Sequence, residues 1–479
     1  MMFKRMKMHS ISGKDASWGE LLQGRNGLRS IALAGGVALH AINIYVVTTI
    51  LPTIIQEIGG LEYYAWNTTL FVVASIVGSA VSAKFIDALG PRLAYLSALA
   101  IFSLGAACCA LAPSMPVLLL GRAVQGLGGG VLFALSYALI RVVFEAHLWP
   151  RAMALVSGMW GVTTLCGPAV GGVFAQSGQW RLAFWVLLPI ALLLAAIVAS
   201  QVQRRVSVAG ASSSLPWLSI TLLVLSVLAI SSASLSESLV WNMAGIAAGV
   251  VLVFVIAKRD RQGSVKLLPS GAWSLSAPLG VVYAMMVLLV IGLTTEIFVP
   301  YFLQVIHQMT PLAAGYMTAM MAGGWTLASL YSAGRGEGRS AYRFIRLGPP
   351  IVLAALLSLA FTLPSVTWGS SMAGRVMYGV ALAAVGFGIG LSWPHLLTRV
   401  FSVAAPGEET LASSSITTVQ LYATALAAAI AGVVANLAGL TDPGGVDGAK
   451  SAALVLFASF AAAPALGAVL SARMERHPE

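Results

Sequence analysis

From residue 30 onward the chain is a succession of apolar runs separated by short polar breaks. A helix needs about 20 mostly apolar residues to cross roughly 30 Å of hydrocarbon. Runs of this kind cover about 30–54, 64–87, 93–112, 116–141, 150–176, 182–202, 216–233, 239–257, 276–302, 312–333, 344–364, 369–398, 408–438 and 451–472, which predicts fourteen spans. The pair 216–233 and 239–257 is the shortest, joined only by SLSES. Composition agrees: 9% of residues are charged, against about 25% in soluble domains. The predicted fold class is therefore an all-α polytopic membrane protein, with lipid as the solvent for most of its surface.

The net charge of +11 suggests nucleic acid until its placement is read. With the N-terminus inside, 23 of the 27 Lys and Arg fall in inner segments, among them Lys4, Arg25, Lys84, Arg92, Arg141, Arg204, Lys258, Arg343 and Arg399. Outer segments keep only Arg181 and Lys450. That is the positive-inside pattern, so no nucleic-acid partner is expected, and both termini are predicted to be cytoplasmic. Cys108, Cys109 and Cys166 all lie in apolar runs and read as packed thiols.

Two arginines lie inside spans. Arg122 stands in GRAVQGLGGG and Arg375 in GRVMYGV, 253 positions later. Other short matches share a register: LPTIIQ (51–56) with VPYFLQ (299–304), and FIDALGPR (85–92) with LYSAGRGEGR (330–339). Two six-helix halves joined by an inserted helical pair account for them, and parallel repeats of this kind characterise one large transporter architecture. The predicted organisation is a cytoplasmic segment 1–29, an N-terminal bundle 30–202, a linker with the inserted pair 203–266, a C-terminal bundle 267–473 and a tail 474–479. On this reading Arg375 echoes Arg122.

The sequence resembles the major facilitator superfamily, in particular its fourteen-span drug:proton antiporter branch. Three motifs carry the resemblance. AKFIDALGPR places Asp87, Gly90 and Arg92 as in the family's loop motif, departing from it at Ala83 and Pro91. Span four carries Arg122, Gln125, Gly126 and Gly128, and GVTTLCGPAVGG in span five supplies Gly161, Gly167, Pro168, Gly171 and Gly172 of the antiporter motif. KLLPSGAW followed by IFVPYFLQVIHQMTPLAAGY is also similar to that branch. The resemblance implies a multi-pass transporter of the inner membrane that exchanges a small organic molecule for protons.

Physical reasons accompany each motif. Gly167 and Gly171 share a helical face, so a second backbone can approach closely, and Pro168 removes a donor and bends the span. Such a helix suits either a sliding contact or static packing. Asp87 can pair with Arg92, Arg141 or a helix N-terminus to lock the inner side, or be a solvated loop charge. Arg122 either snorkels or faces the bundle interior, donating to acceptors of span one.

Of sixteen Asp and Glu, Glu296 alone lies well within an apolar span. Burial raises a carboxyl pKa and a nearby cation lowers it, so Glu296 is the leading proton carrier, with Arg375 as its expected partner. The alternative is an acid that only reaches the outer interface. In span one, relatives carry an acid where this chain has Asn43; His40, one turn earlier, either titrates or packs.

Candidate cavity residues are Asn43, Tyr137, Trp160, Tyr283, Thr295, Glu296, Tyr316, Trp325, Tyr378, Trp393 and Gln420. Aromatic faces with few polar groups suit an amphipathic ligand. The glycines at 126–130 lack the Lys-Ser/Thr of a phosphate loop. No enzyme, cofactor or metal site is expected, and the proton gradient is the expected energy source. The expected function is export of a small amphipathic compound by proton antiport, from a monomer. The alternatives are a proton-coupled symporter importing a metabolite and, remotely, a non-transporting receptor or scaffold.

Overall fold

A computed structural model describes residues 18–203, 216–236, 238–263, 265–333, 335 and 339–474. Lys4, Arg5, Lys7, Lys14, Arg204, Arg205 and Arg476, counted above as inner cations, lie outside them, as does most of the predicted tail.

Among the described residues every regular element is helical. A short α1 (Trp18–Leu22) precedes α2 (Gly24–Ile58), α3 (Tyr64–Ala110) and α4 (Met115–Ala138). There follow α5 (Ile140–Val143), α6 (Trp149–Gln176), α7 (Trp180–Trp185) and α8 (Leu187–Gln201). The inserted pair is α9 (Trp217–Ala233) and α10 (Leu239–Gln262). The second half comprises α11 (Pro278–Thr294), α12 (Val299–Val305), α13 (Pro311–Ala333), α14 (Arg339–Thr362) and α15 (Val366–Ser370). It ends with α16 (Met372–Val403), α17 (Glu409–Leu437), α18 (Gly445–Phe460) and α19 (Ala462–Met474).

Among the described residues, eleven helical stretches are long and apolar enough to cross a membrane, fewer than the fourteen expected. The difference has local causes. Residues 61–110 form one fifty-residue stretch, where two spans were predicted. At 1.5 Å per residue the 47 residues of α3 reach about 70 Å, more than twice a hydrocarbon core. Gly90 breaks the helix, with φ 77° and ψ 163°, a conformation that favours glycine, and Pro91 restarts it with its fixed φ. The other two predicted spans outside the eleven are α9, with 17 residues, and α13, whose glycines and threonines dilute its hydropathy.

The long helices alternate in direction, so the loops gather at two ends of the molecule. One end carries Arg25, Arg29, Lys84, Arg92, Arg141, Arg151, Lys258 and Arg399 and is called the basic end. The opposite end carries Arg181, which pairs with Glu57, and Lys450.

Glycines set how the helices of each half pack. A Cβ on Gly126 or Gly130 of α4 would collide with the backbone at Phe71 or Ser75 of α3, and one on Gly128 with Ala98 and Phe102 beyond the break. In the second half, Gly386 and Gly390 of α16 lie against Met321 and Trp325 of α13, and Gly388 against Gly348 and Val352 of α14. Positions 126, 128 and 130 therefore answer to 386, 388 and 390, while 71, 75, 98 and 102 answer to 321, 325, 348 and 352. The packing of these helices recurs, with a register in α4 and α16 that differs from the one read off the two arginines. Leu382 occupies the place of Arg122. Residues 334 and 336–338 of the motif match 85–92 with 330–339 lie outside the described residues.

The core shows how the halves meet. Val46, Ile50, Ile54, Tyr64, Cys109, Leu118, Trp180 and Phe184, all toward the opposite end, share one buried cluster with the second half. Toward the basic end the first half has a cluster of its own, including Leu33, Val37, Tyr95, Phe102, Leu135 and Leu194. The inserted α9 seats Val227, Ile230 and Ala233 against Phe71 and Val73 of α3 and Ala425, Ala429 and Val433 of α17. The segment 265–277 that leads into the second half is held by two carboxylates. Asp260 accepts from the backbone N–H of Leu267 and Leu268 and from Trp273 Nε1; Glu408 accepts from Ser270 N at 2.7 Å and from Lys266 Nζ at 3.0 Å. Partial burial pulls the Glu408 carboxyl up, but the Ser270 N–H and the Lys266 ammonium outweigh it and hold the group below the usual carboxylate range.

Overpacking a helix contact costs about 1–3 kcal/mol. Gly130→Val and Gly390→Val are each expected to lower the thermal unfolding midpoint in detergent, while Gly158→Val, which meets no heavy atom within 4 Å, leaves it within error.

Candidate functional site

In hydrocarbon each buried polar group needs a partner within the protein. Arg122 meets that demand on α4, seven residues from the helix start, and is 2% exposed. Its Nε donates to Asn67 Oδ1 at 2.7 Å and its Nη1 to Gln125 Oε1 at 2.7 Å. The guanidinium lies 4.2 Å from the centre of the Phe71 ring, a cation–π contact. The expected interior placement holds, but the acceptors are on α3 and on the next turn of α4 rather than on span one. Span one meets α4 further along, where a Cβ on Gly129 would stand 2.9 Å from His40 Nδ1 and one on Gly36 2.5 Å from Ser136 Oγ.

His40 is 2% exposed among Phe71, Phe133 and Trp160, with ring centroids at 5.3, 5.3 and 6.2 Å. The Phe71 ring thus touches both His40 and Arg122. Asn43 is fully buried, and neither its Oδ1 nor its Nδ2 has a protein partner. Trp160 and Tyr137 are partly exposed, Tyr137 sharing a hydrogen bond of 3.2 Å with Ser157.

Glu296 sits in the one-turn helix Thr295–Ile297 that separates α11 from α12. It is partly exposed, and its short helix lies against α3 of the first half through Tyr64. Beside it Tyr64 Oη donates to the Ile297 carbonyl at 3.1 Å, and the Tyr64 and Phe298 rings stack at 4.8 Å.

Arg375 corrects an expectation. Ser371 caps α16 by accepting from Gly374 N at 3.0 Å, which places Arg375 three residues into the helix. It is exposed, its Nε donates to the Gly369 carbonyl at 3.1 Å, and no ion pair joins it to Glu296 among the described residues. It is neither the partner of Glu296 nor the counterpart of Arg122. Long cations near a span end reach the interface in this way.

Three cavity candidates are packed groups. Tyr378 Oη donates to the Thr362 carbonyl at 3.0 Å, Tyr283 Oη is bound to Ser415 of α17, and Thr295 donates to the Gly292 carbonyl at 3.0 Å. Tyr316 is 42% exposed near the opposite end. Trp325 and Trp393 pair with centroids 5.2 Å apart, and Gln420 is partly exposed on α17. Asp87 is exposed and pairs with neither Arg92 nor Arg141 among the described residues; Arg141 lies over the Trp149 ring at 5.5 Å.

The span-five motif runs along the join between the halves. Gly167 packs on Tyr45 of α2, and a Cβ on Gly171 would come within 2.8 Å of the Val46 carbonyl oxygen. Gly172 lies against Leu312 of α13, where a Cβ would stand 2.6 Å from Cα; one on Gly315 would stand 3.0 Å from Pro168 Cβ. Seven to ten residues from Pro168 and Gly315 toward the basic end, the glycines have no such neighbour. Gly161 and Gly158 of α6, and Gly323 of α13, have no heavy atom within 4 Å of a built Cβ. With α6 and α13 antiparallel, Gly161 and Gly323 stand at one level. Along this join α6 and α13 are therefore in contact toward the opposite end, and their glycines face open space toward the basic end.

Sequence reasoning missed Tyr45, Asn67 and Phe71. Asn67 carried a signal, a lone amide in YAWNTTLFVV; Tyr45 and Phe71 look like ordinary core residues.

Paired helical bundles of this kind define a multi-pass membrane transport protein. The chain belongs to the Major Facilitator Superfamily, whose family model matches residues 33–428. It is 37% identical over 471 residues to a probable multidrug-efflux transporter of Mycobacterium tuberculosis, covering 97% of this chain and 98% of that protein. The fold is shared with the human organic anion transporter MFSD10 (TETRAN), at 17% identity and a TM-score of 0.59 over 94% of this chain and 97% of that one. It is shared also with a bacterial homologue of the human lysosomal transporter Spinster, at 17% identity and a TM-score of 0.64 over 95% and 98%.

Hydrogen bonds from a charged donor contribute about 1.5–3 kcal/mol. Asn67→Leu, which removes one of the two acceptors of Arg122, is expected to destabilise the protein by an amount in that range, read as a lower unfolding midpoint in detergent. Arg375→Gln is expected to leave the midpoint unchanged.

Proposed function

We propose that this protein exports a small amphipathic organic compound from the cytoplasm by proton antiport. The observation that carries the reading is the join between α6 and α13, closed at Gly172–Leu312 and open at Gly161 and Gly323. The near full-length identity to a probable multidrug-efflux transporter supports export. The excess of Lys and Arg at the basic end supports a cytoplasmic basic end in an inner membrane, so the open side faces the cytoplasm.

The proposed topology has fourteen spans. The stretch 61–110 counts twice across Gly90, and α9 and α13 join the eleven long apolar stretches. The two six-helix bundles rock about the small-residue surface of α6, exposing the cavity alternately to each side. Trp160, Tyr137, Phe133 and Trp325 offer aromatic faces to the compound, with Tyr45 and Glu296 at its closed end. Glu296 carries the proton: a carboxyl at the seam loads from the far side and is relieved of it toward the cytoplasm. Arg122, held by Asn67 and Gln125, keeps α3 and α4 in register and polarises the His40 side of the cavity. The protein works as a monomer, without a cofactor.

Two measurements test this. In inside-out vesicles with an imposed proton gradient, Glu296→Gln is expected to abolish proton-driven uptake of a compound selected from a resistance screen of cationic, neutral and anionic candidates. Undiminished gradient-driven uptake removes Glu296 from the mechanism. In a variant without the native cysteines, Gly161→Cys and Gly323→Cys are expected to react with a membrane-impermeant maleimide applied from the cytoplasmic side. Gly172→Cys is expected to resist it.

A further inference from the structure

The inserted pair leaves a recess at the basic end that the transport reading does not use. Its volume is about 890 Å³ and it lies between the start of α9 and the end of α10. Leu218, Leu222 and Val255 form apolar walls, and Lys258, Arg259 and Gln262 line the mouth. Lys84, on α3 six residues before Gly90, places its ammonium over the Trp217 ring at 5.0 Å, which adds a third cation at the same rim. Lys258 and Arg259 are exposed and make no ion pair among the described residues. Of the acids near it, Asp260 is buried and occupied by Leu267, Leu268 and Trp273, and Glu408 is held by Lys266 and Ser270.

We propose that this recess binds an anionic phospholipid, with its phosphodiester at Lys258 and Arg259 and an acyl chain along Leu218, Leu222 and Val255. Two features select that occupant. The cations stand where the apolar run of α10, Leu239–Ala257, gives way to KRDRQ, the depth at which a headgroup meets hydrocarbon. The walls below are apolar and α10 presents Val251, Phe254 and Val255 outward, so the site opens sideways into lipid rather than into water. Basic recesses between helices at this membrane face recognise anionic headgroups. A soluble phosphate would gain the charges but leave the apolar wall empty.

The site also has a mechanical consequence. Lys84 belongs to the segment that ends at the Gly90 break, and its ring contact is with α9. A lipid seated beside Trp217 is therefore read by both the inserted pair and the basic end of α3.

The test uses the purified full-length protein in nanodiscs containing equal parts of phosphatidylcholine and phosphatidylglycerol. After detergent extraction the retained lipids are counted by native mass spectrometry. Wild type is expected to retain phosphatidylglycerol in preference to phosphatidylcholine. Lys258→Gln with Arg259→Gln is expected to reduce that preference by roughly a factor of five per charge removed. A control pair, Arg25→Gln with Arg151→Gln, lowers the net charge equally at the same end and is expected to keep it. Equal retention of both lipids by wild type, or an equal loss in the control pair, overturns the proposal in favour of unspecific surface charge. Displacement of the retained lipid by millimolar inorganic phosphate overturns it in favour of a free-phosphate site. Lys258, Arg259 and Arg25 are exposed and Arg151 is partly exposed, and an unaltered unfolding midpoint separates loss of the lipid from loss of the fold.

Discussion

Backbone-to-backbone contact through glycine is the constraint on which the rest of this molecule depends. Helices in lipid gain nothing from hiding apolar side chains from one another, since the tails outside are equally apolar, so close approach of small residues must do the holding. In the first half Gly126 and Gly130 bring α4 onto α3, and in the second Gly386 and Gly390 bring α16 onto α13. Each pair then fixes a third helix through Gly128 or Gly388. What remains free is the join between the halves, where α6 and α13 offer glycines that are tight at one end and empty at the other. The same residue type therefore welds each half internally and leaves the boundary between them able to part.

Much of this was legible in the sequence, because hydropathy and charge placement act on whole spans and no tertiary detail reverses them. The interior placement of Arg122 was legible for the same reason: a guanidinium in the middle of an apolar run needs partners. Its choice of partner was not, because Asn67 is distant in the chain and one amide in an apolar run does not announce a contact. The echo at Arg375 failed on register. Matching arginines set the repeat at 253, but a serine cap starts α16 late, and the packed glycines set it at 260. The alternating glycines of GLGGG and GFGIG held the better signal, since spacing dictated by backbone contact is more constrained than the position of a long, flexible cation. Tyr283 and Tyr378 misled because a hydroxyl in a span satisfies itself on a neighbouring backbone or serine as readily as it faces a cavity.

The corrected register exposes an asymmetry. Leu382, Val385 and Met317 stand where the first half has Arg122, Gln125 and Asn67. The Arg–Gln–Asn set belongs to the first half alone, while the second places Glu296 at a break between α11 and α12 and buries His395 against Phe344. The halves are copies in how they pack and unlike in their chemistry. A charge confined to one half and an acid confined to the other can change their mutual environment when the halves move, which two identical halves could not achieve.

The inserted pair bears on that movement. At the opposite end α9 is tied to both halves: Trp66 Nε1 donates to Ser234 Oγ at 3.2 Å, and Asn436 Nδ2 of α17 donates to the Ser234 carbonyl at 2.8 Å. Midway, Ser226 shares a hydrogen bond of 2.8 Å with Tyr422 of α17. Toward the basic end its tie to the first half is the ring contact of Trp217 with Lys84. Parting the halves at the opposite end must therefore break a hydrogen bond at Ser234 on one side or the other, whereas parting them at the basic end breaks none there. That difference tilts the balance toward the arrangement described, open at the basic end, and makes Ser234 the point at which the inserted pair opposes the reverse motion.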